Sequence, residues 1–219
     1  MTLLKKFQKY LAKKNTGDEI IQFSPPRSGS TLVYNILRDI FPEKTIRKTH
    51  QYAPDFSRHR IVVTYRHPLD CIASSLQRYG KPPSDIEINT QIKEFDENGI
   101  WDLLSLNKGS RPNVLLLRYE IFYNNFEYIF NNFEDFFSIC IPVEQRQTIS
   151  KKYNINTVYQ SIQKYSDFNE FDEDRHWHGN HISKYKGKTY YYKQFFNRQQ
   201  IAHLKNVYHD ILMSFGYDE

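Results

Sequence analysis

Residues 19–41 read EIIQFSPPRSGSTLVYNILRDIF, and the fold follows from how this stretch divides. Ile20, Ile21 and Phe23 make an apolar run of strand length. Pro25-Pro26-Arg27-Ser28-Gly29-Ser30-Thr31 is a turn of small and hydroxyl residues, and Leu32, Val33, Ile36, Leu37 and Ile40 then recur at helical spacing. Strand, anion-sized loop and helix thus follow one another. Ser30 or Thr31 is expected to cap the helix, whose free N–H groups then face an anion. Gly29 lets the backbone approach closely, and Arg27 adds a fixed positive fork. The stretch lacks G-x-x-x-x-G-K-[ST], so an ATP or GTP P-loop is not indicated. A Ser-rich strand-to-helix turn without a ligand is the plainer reading of these residues alone.

Outward from this unit, residues 44–50 (KTIRKTH) predict a short strand with a basic, His-bearing tip. Residues 60–65 (RIVVTY) predict a buried strand running into Arg66-His67-Pro68, where Pro68 suits the first turn of a helix. After a loop at 79–85, residues 86–106 predict one or two helices with Ile92, Phe95, Ile100, Leu103 and Leu104 inward. Residues 113–119 (NVLLLRY) predict a further buried strand. An aromatic helix over 126–137, helical segments from Pro142 to about residue 165, and one closing helix over 199–215 complete the pattern. Residues 166–187 are polar, His- and Lys-rich and irregular. Strands alternating with helices indicate an α/β, P-loop-like three-layer fold, with a central parallel sheet flanked by helices. Ligands of such sheets sit beyond the carboxyl ends of the strands. The tips at Arg27, His50 and Arg66 are therefore expected to converge on one anion site.

The 219 residues carry no Pro/Gly/Ser-rich linker, and a single domain is expected over 1–219. A net charge of +5 fits an anionic small ligand as well as a nucleic acid. The basic residues mark strand tips rather than one stripe, which disfavours nucleic acid. Cys71 and Cys140 lie far apart in helical-looking apolar contexts, make no disulfide framework and suggest a reducing compartment. The first fifteen residues, MTLLKKFQKYLAKKN, place Leu3, Leu4, Phe7 and Leu11 on one face of a basic helix, expected to pack on its own domain. With no apolar run of spanning length, a cytoplasmic protein without stable membrane insertion is expected.

PPRSGSTLV, KTH, VVTYRHPLDCIASS and LLLRYE, in this order and spacing, together resemble sulfotransferases that use 3′-phosphoadenosine 5′-phosphosulfate (PAPS). The resemblance covers roughly residues 19–120, with a weaker match beyond. It implies that Arg27, Ser28, Gly29, Ser30, Thr31 and Leu32 cradle the 5′-phosphosulfate, Arg27 standing where the family usually has Lys. It implies that Arg66 and Ser74, eight residues apart as in the family, hold the 3′-phosphate. Tyr119 matches a Tyr that contacts adenine. His50 matches the His of the family's K-[ST]-H motif and would be the general base, with Lys48 orienting the acceptor or donating to the sulfuryl oxygens. Two departures stand out. Leu32 replaces the Trp that stacks on adenine, so the base needs another platform. The C-terminal R-K-G-x-x-G-x-W-K pattern survives only in part over residues 185–193, leaving Lys186, Gly187 and Lys188 as cofactor candidates and His181 or Lys184 as replacements for the Arg.

Sulfuryl transfer needs a donor clamp, stabilisation of charge on the leaving phosphate, and a base for the acceptor hydroxyl. An imidazole titrating near neutrality suits the base, with Glu43 or Asp55 as alternatives to His50. The sulfuryl group carries less charge than a γ-phosphoryl, so no metal is expected. His176-x-His178-x2-His181 has imidazoles enough to suggest zinc but no obvious fourth ligand, which favours a solvent-facing or phosphate-binding role. The acceptor, a small molecule, glycan or lipid headgroup, is expected to sit among residues 80–110 and 155–185. The competing readings are a binding module that holds the product bisphosphate PAP or an acidic ligand without chemistry, and a kinase-like P-loop enzyme. The latter needs a Walker Lys and a metal-binding Asp that the loop does not supply.

Overall fold

The computed structural model describes residues 19–109, 111–167, 169–179, 181–183 and 185–217, apart from the side chains of Pro54 and Asp55. The expected N-terminal amphipathic helix, Lys184 and the Asp55 carboxylate lie outside the described residues.

Four strands, β1 (Glu19–Phe23), β2 (Thr45–Thr49), β3 (Arg60–Tyr65) and β4 (Val114–Arg118), form a sheet of order β2-β1-β3-β4. Every neighbouring pair is parallel, with Ile20 opposite Ile46, Ile21 opposite Ile61 and Val63 opposite Leu116. The central strands β1 and β3 are covered on both faces, which is why they read as continuous apolar runs. Their alternating side chains divide between two cores. Ile21, Phe23, Ile61 and Val63 enter one core with α2 (Pro68–Arg78), α3 (Asp85–Glu97) and α4 (Asp102–Asn107). Ile20 and Val62 enter the other with α1 (Ser30–Ile40) and, after the single turn α5 (Tyr119–Phe122), with α6 (Phe126–Phe137), α7 (Val143–Tyr153) and α8 (Ile155–Ile162). Helix, sheet and helix make three layers, as the sequence pattern predicts.

Four details differ from expectation. Residues 113–119 are not a buried strand: among the described residues β4 has one neighbouring strand, and of its own residues Leu117 alone is buried. Neither Ser30 nor Thr31 caps α1. The cap is Gly29, with φ 85° and no side-chain hydrogen bond, so both hydroxyl residues already belong to the first turn. The closing helix is two helices: after the short turn α9 (Tyr192–Phe195), α10 (Arg198–Val207) and α11 (His209–Ser214) meet at the buried Tyr208. Cys71 is buried in α2, but Cys140 is exposed in the loop after α6; both are free thiols. The irregular stretch at 166–187 holds one two-residue antiparallel ladder, β5 (Phe171–Asp172) with β6 (Trp177–His178). Among the described residues no helix is long and apolar enough to cross a membrane.

Candidate functional site

The carboxyl ends of all four strands open onto one cavity of about 290 Å³. Arg27 and the Gly29–Leu32 turn come from the end of β1, Lys48 and His50 from β2, Arg66 and Ser74 from β3 and α2, and Tyr119 from β4. Gly187 arrives from the C-terminal segment, and the 176–183 stretch with Ile155 and Val158 closes the far side. The expected convergence of three strand tips is therefore found, and the tip of β4 joins it.

The loop after β1 is held by its own polar residues. Ser28 Oγ donates to the Pro25 carbonyl at 2.8 Å and lies 3.2 Å from Thr64 Oγ1, and Gln22 reaches the same Thr64 at 3.4 Å. Ser28 is wholly buried by these contacts and does not line the cavity. Its place is beneath the loop, where it replaces the backbone partners that a turn lacks. Arg27 (φ 65°) and Gly29 (φ 85°) both take the left-handed conformation, which non-glycine residues occupy rarely and which clusters at functional sites. A Cβ on Gly29 would stand 2.8 Å from Phe122 Cζ and 2.9 Å from Tyr119 Cδ2, so only glycine lets these rings close on the loop. The first backbone bond of α1 runs from Val33 N to the Gly29 carbonyl. The N–H groups of Ser30, Thr31 and Leu32 precede it at the positive end of the helix dipole.

Arg27 Nε donates to Ser74 Oγ at 3.1 Å and its Nη2 to the His181 carbonyl at 3.0 Å, tying the loop to α2 and to the closing segment. Burial, then the neighbouring Arg78 and Arg66, pulls its guanidinium down to about 9. Lys48 Nζ donates to Thr31 Oγ1 at 2.7 Å, and burial, then Arg78 and Arg27, lowers it to about 8. Both cations are thus held among like charges, the condition that an arriving anion relieves. No Asp or Glu lines the cavity among the described residues.

His50 Nδ1 stands 2.6 Å from the Ser24 carbonyl. A carbonyl only accepts, so Nδ1 carries the proton and Nε2 the lone pair. Burial holds this imidazole below its ordinary value against the pull of the Ser24 bond, with Lys48, Arg78 and Arg27 adding to the depression. Glu43, one alternative base, does not line the cavity.

Arg66 is heavily committed. Its Nη2 donates to the carbonyls of Lys188 at 2.8 Å and Gly187 at 3.4 Å, it pairs with Asp70 at 3.5 Å, and its guanidinium covers the Tyr119 ring at 4.3 Å. Its Nε is buried without a partner among the described residues. Asp70 in turn accepts from Tyr190 N at 2.6 Å and Tyr192 N at 3.0 Å, and Tyr119 Oη donates to the Gly187 carbonyl at 2.8 Å. The 187–192 segment is thereby tied to Arg66, Asp70 and Tyr119. Gly187 faces the cavity; the exposed Lys186 and Lys188 do not line it. Lys186 Nζ turns instead to Asn156 and the Tyr159 ring.

Leu32 is half-buried and lines the cavity without an aromatic ring. Tyr119, Phe122, Tyr123, Phe126 and Trp177 supply rings elsewhere in the lining. The sequence reading named Tyr119 but missed the other four rings, along with Arg78, because nothing but tertiary placement brings them to the loop. His176, His178 and His181 are half-buried and all line the cavity. Burial, then Arg27, Lys48, Arg78 and His178, drives His181 well below the usual imidazole range. Among the described residues no three His, Cys, Asp or Glu side chains are grouped so as to hold a metal ion.

No family model and no curated protein sequence matches this chain. Solved structures do match, among them mouse sulfotransferase SULT7A1 complexed with PAP, with a TM-score of 0.64 and 15% sequence identity. The alignment covers 89% of this chain and 84% of that one. The likeness establishes a sulfotransferase-like α/β fold with a central parallel sheet.

Proposed function

We propose that this chain transfers a sulfuryl group from PAPS to an acceptor hydroxyl or amine, with His50 as general base. The observation that carries the reading is the cavity's charge: Arg27, Lys48, Arg66 and Arg78 converge on it and no carboxylate lines it among the described residues. A polyanionic nucleotide fits that set. The depressed Arg27 and Lys48 need an anion, the unpartnered Arg66 Nε has a donor to offer, and the N-terminus of α1 points the same way. PAPS, when bound, supplies an activated sulfuryl group and a phosphate leaving group.

Arg27 and the N–H groups of Ser30 to Leu32 would hold the 5′-phosphate and the charge that grows there. Lys48, fixed by Thr31, would meet the sulfuryl oxygens. Arg66 and Ser74 would receive the 3′-phosphate, with Gly187 beside them, and Tyr119 would bound the base. His50 Nε2 would take the acceptor proton, since the Ser24 bond fixes its tautomer and the lowered value keeps it neutral near pH 7. The kinase-like reading needs a metal-binding carboxylate, and none lines the cavity among the described residues. The mouse protein complexed with PAP supports the choice of nucleotide at the level of the fold.

The test is thermal stability with PAP, 5′-AMP, or ATP plus magnesium, followed by turnover of labelled PAPS. PAP at about 100 times its dissociation constant should add about 2.7 kcal/mol, with little effect of 5′-AMP. Stabilisation by ATP and magnesium alone, or by nothing, overturns the reading. PAP binding with no transfer to any acceptor would leave a binding module.

A further inference from the structure

We infer that the turn at Tyr123 and Asn124 reads the base of the bound nucleotide, Tyr123 by stacking and Asn124 through its carboxamide, and selects adenine over guanine. The inference rests on the nucleotide reading of the same site and adds the residues that choose the base. Phosphates belong with the cations at the strand tips, so a base falls to the aromatic part of the lining. Most rings there are already engaged. Phe122 and Trp177 are buried, the first against Gly29 and Tyr119, the second edge-on to Tyr153 at 6.1 Å with the Arg175 guanidinium over it at 5.2 Å. The Arg66 guanidinium covers the Tyr119 ring at 4.3 Å. Phe126 leans on Phe130 at 6.4 Å and has no polar group to fix it. Tyr123 differs from all of these. It is half-buried, lines the cavity and stands 5.6 Å from the Tyr119 ring at 31°. Its hydroxyl donates to the Lys186 carbonyl at 2.9 Å, so the ring is already held in place for a base to cover.

Asn124 follows one Cα spacing later, about 3.8 Å on, and lines the same cavity at its exposed rim. Its backbone is left-handed, with φ 60°. The turn is locked on both sides, by Tyr123 N donating to the Tyr119 carbonyl at 2.7 Å and Asn125 N to the Phe122 carbonyl at 2.9 Å. Asn125 spends its side chain on capping α6, where it accepts from Tyr128 N at 3.2 Å. The Asn124 carboxamide has no partner among the described residues. A carboxamide sets one acceptor beside one donor, the complement of adenine's N6 amino group and N7. On that edge guanine presents two acceptors, O6 and N7, so the carboxamide oxygen meets a lone pair instead of a proton.

The experiment is calorimetry on the full chain with three probes: PAP, its guanine counterpart, and ribose 3,5-bisphosphate, which lacks a base. PAP should bind roughly tenfold or more tighter than the guanine nucleotide, the scale of one bidentate contact to a base. Asn124→Gly accepts the left-handed backbone and should erase this preference. Tyr123→Leu should weaken PAP roughly fivefold or more, the scale of a lost stack, and Tyr123→Phe should keep most of the affinity. Ribose 3,5-bisphosphate should bind all of these proteins alike. Equal binding of the two nucleotides by the unmodified protein, a preference that survives Asn124→Gly, or a loss for the baseless probe in Tyr123→Leu equal to the loss for PAP overturns the inference. Failure of the unmodified protein to bind PAP overturns the nucleotide reading instead, and is seen before any variant is made.

Discussion

His50 and Lys48 sit two residues apart at the end of β2, and their proposed roles need opposite protonation states. The base must be neutral and the lysine charged. Burial lowers His50 below its usual value and brings Lys48 to about 8. The pH profile of kcat/KM, which reports the free enzyme, should rise through a value below 6.5 as His50 loses its proton and fall above about 8 as Lys48 does. Lys48→Arg should move the alkaline limb to higher pH, because a guanidinium in the same surroundings holds its proton more tightly than an ammonium, with Arg27 at about 9 then setting the limit. His50→Ala should cut kcat by roughly 10²-fold or more and leave PAP affinity unchanged; equal losses in both would make His50 a binding residue. The residues with a motif around them were legible: Arg27, Lys48, His50, Arg66, Ser74 and Tyr119 all reach the cavity. Ser28 was misplaced because a hydroxyl in such a loop can face a ligand or lock the turn, and its partner Thr64 lies thirty-six residues away. Arg78 was missed because helical spacing puts it beside Ser74 without saying what stands opposite.

At the level of elements, the strand-loop-helix unit depends on one residue without a side chain. Gly29 caps α1 at φ 85° while the rings of Tyr119 and Phe122 press on its Cα. Gly29→Ala must strain the left-handed backbone and displace rings from a buried helix, each at about 1–3 kcal/mol. Urea denaturation should show a loss of that order, and PAP affinity should fall with it as the N–H groups of α1 lose their register. A variant as stable as the parent would mean that the loop can rearrange freely, and the cradle assignment would fail. The strands themselves were readable because β1 and β3 are covered on both faces and spell that burial out as unbroken apolar runs. The same reasoning overrated β4: VLLLR has the composition of a central strand, but its place at the sheet edge is a property of topology. Likewise α10 and α11 share one apolar periodicity, so their break at Tyr208 leaves no mark in the spacing.

Across the whole molecule, the same burial that tunes the site sets how stability varies with pH. His67 follows β3, and its Nδ1 accepts from Leu69 N at 3.3 Å, which requires the neutral ring to cap α2. Its imidazole stacks on Tyr192 at 4.5 Å and lies edge-on to Tyr217 at 4.9 Å, fastening the sheet to the C-terminal helices. Burial, then Lys205, Arg66, Arg118 and Lys193, pushes its value down to about 3. His50 and His181 are depressed as well. A base whose folded value lies below its unfolded one refuses protons that the unfolded chain accepts. Its contribution is therefore complete above about pH 6.5 and is lost progressively as the pH falls toward the folded value, at up to about 1.4 kcal/mol per pH unit for each such group. Asp70, raised by burial, works in the opposite sense. With His176 depressed by burial too, four imidazoles stand against it, and the melting temperature should drop steeply between pH 7 and 5. His67→Asn keeps a capping acceptor and removes the titration, so this variant should flatten the acid limb while changing neutral-pH stability less. An acid limb of unchanged slope in that variant would show that the His67 joint between sheet and C-terminal helices does not govern acid unfolding.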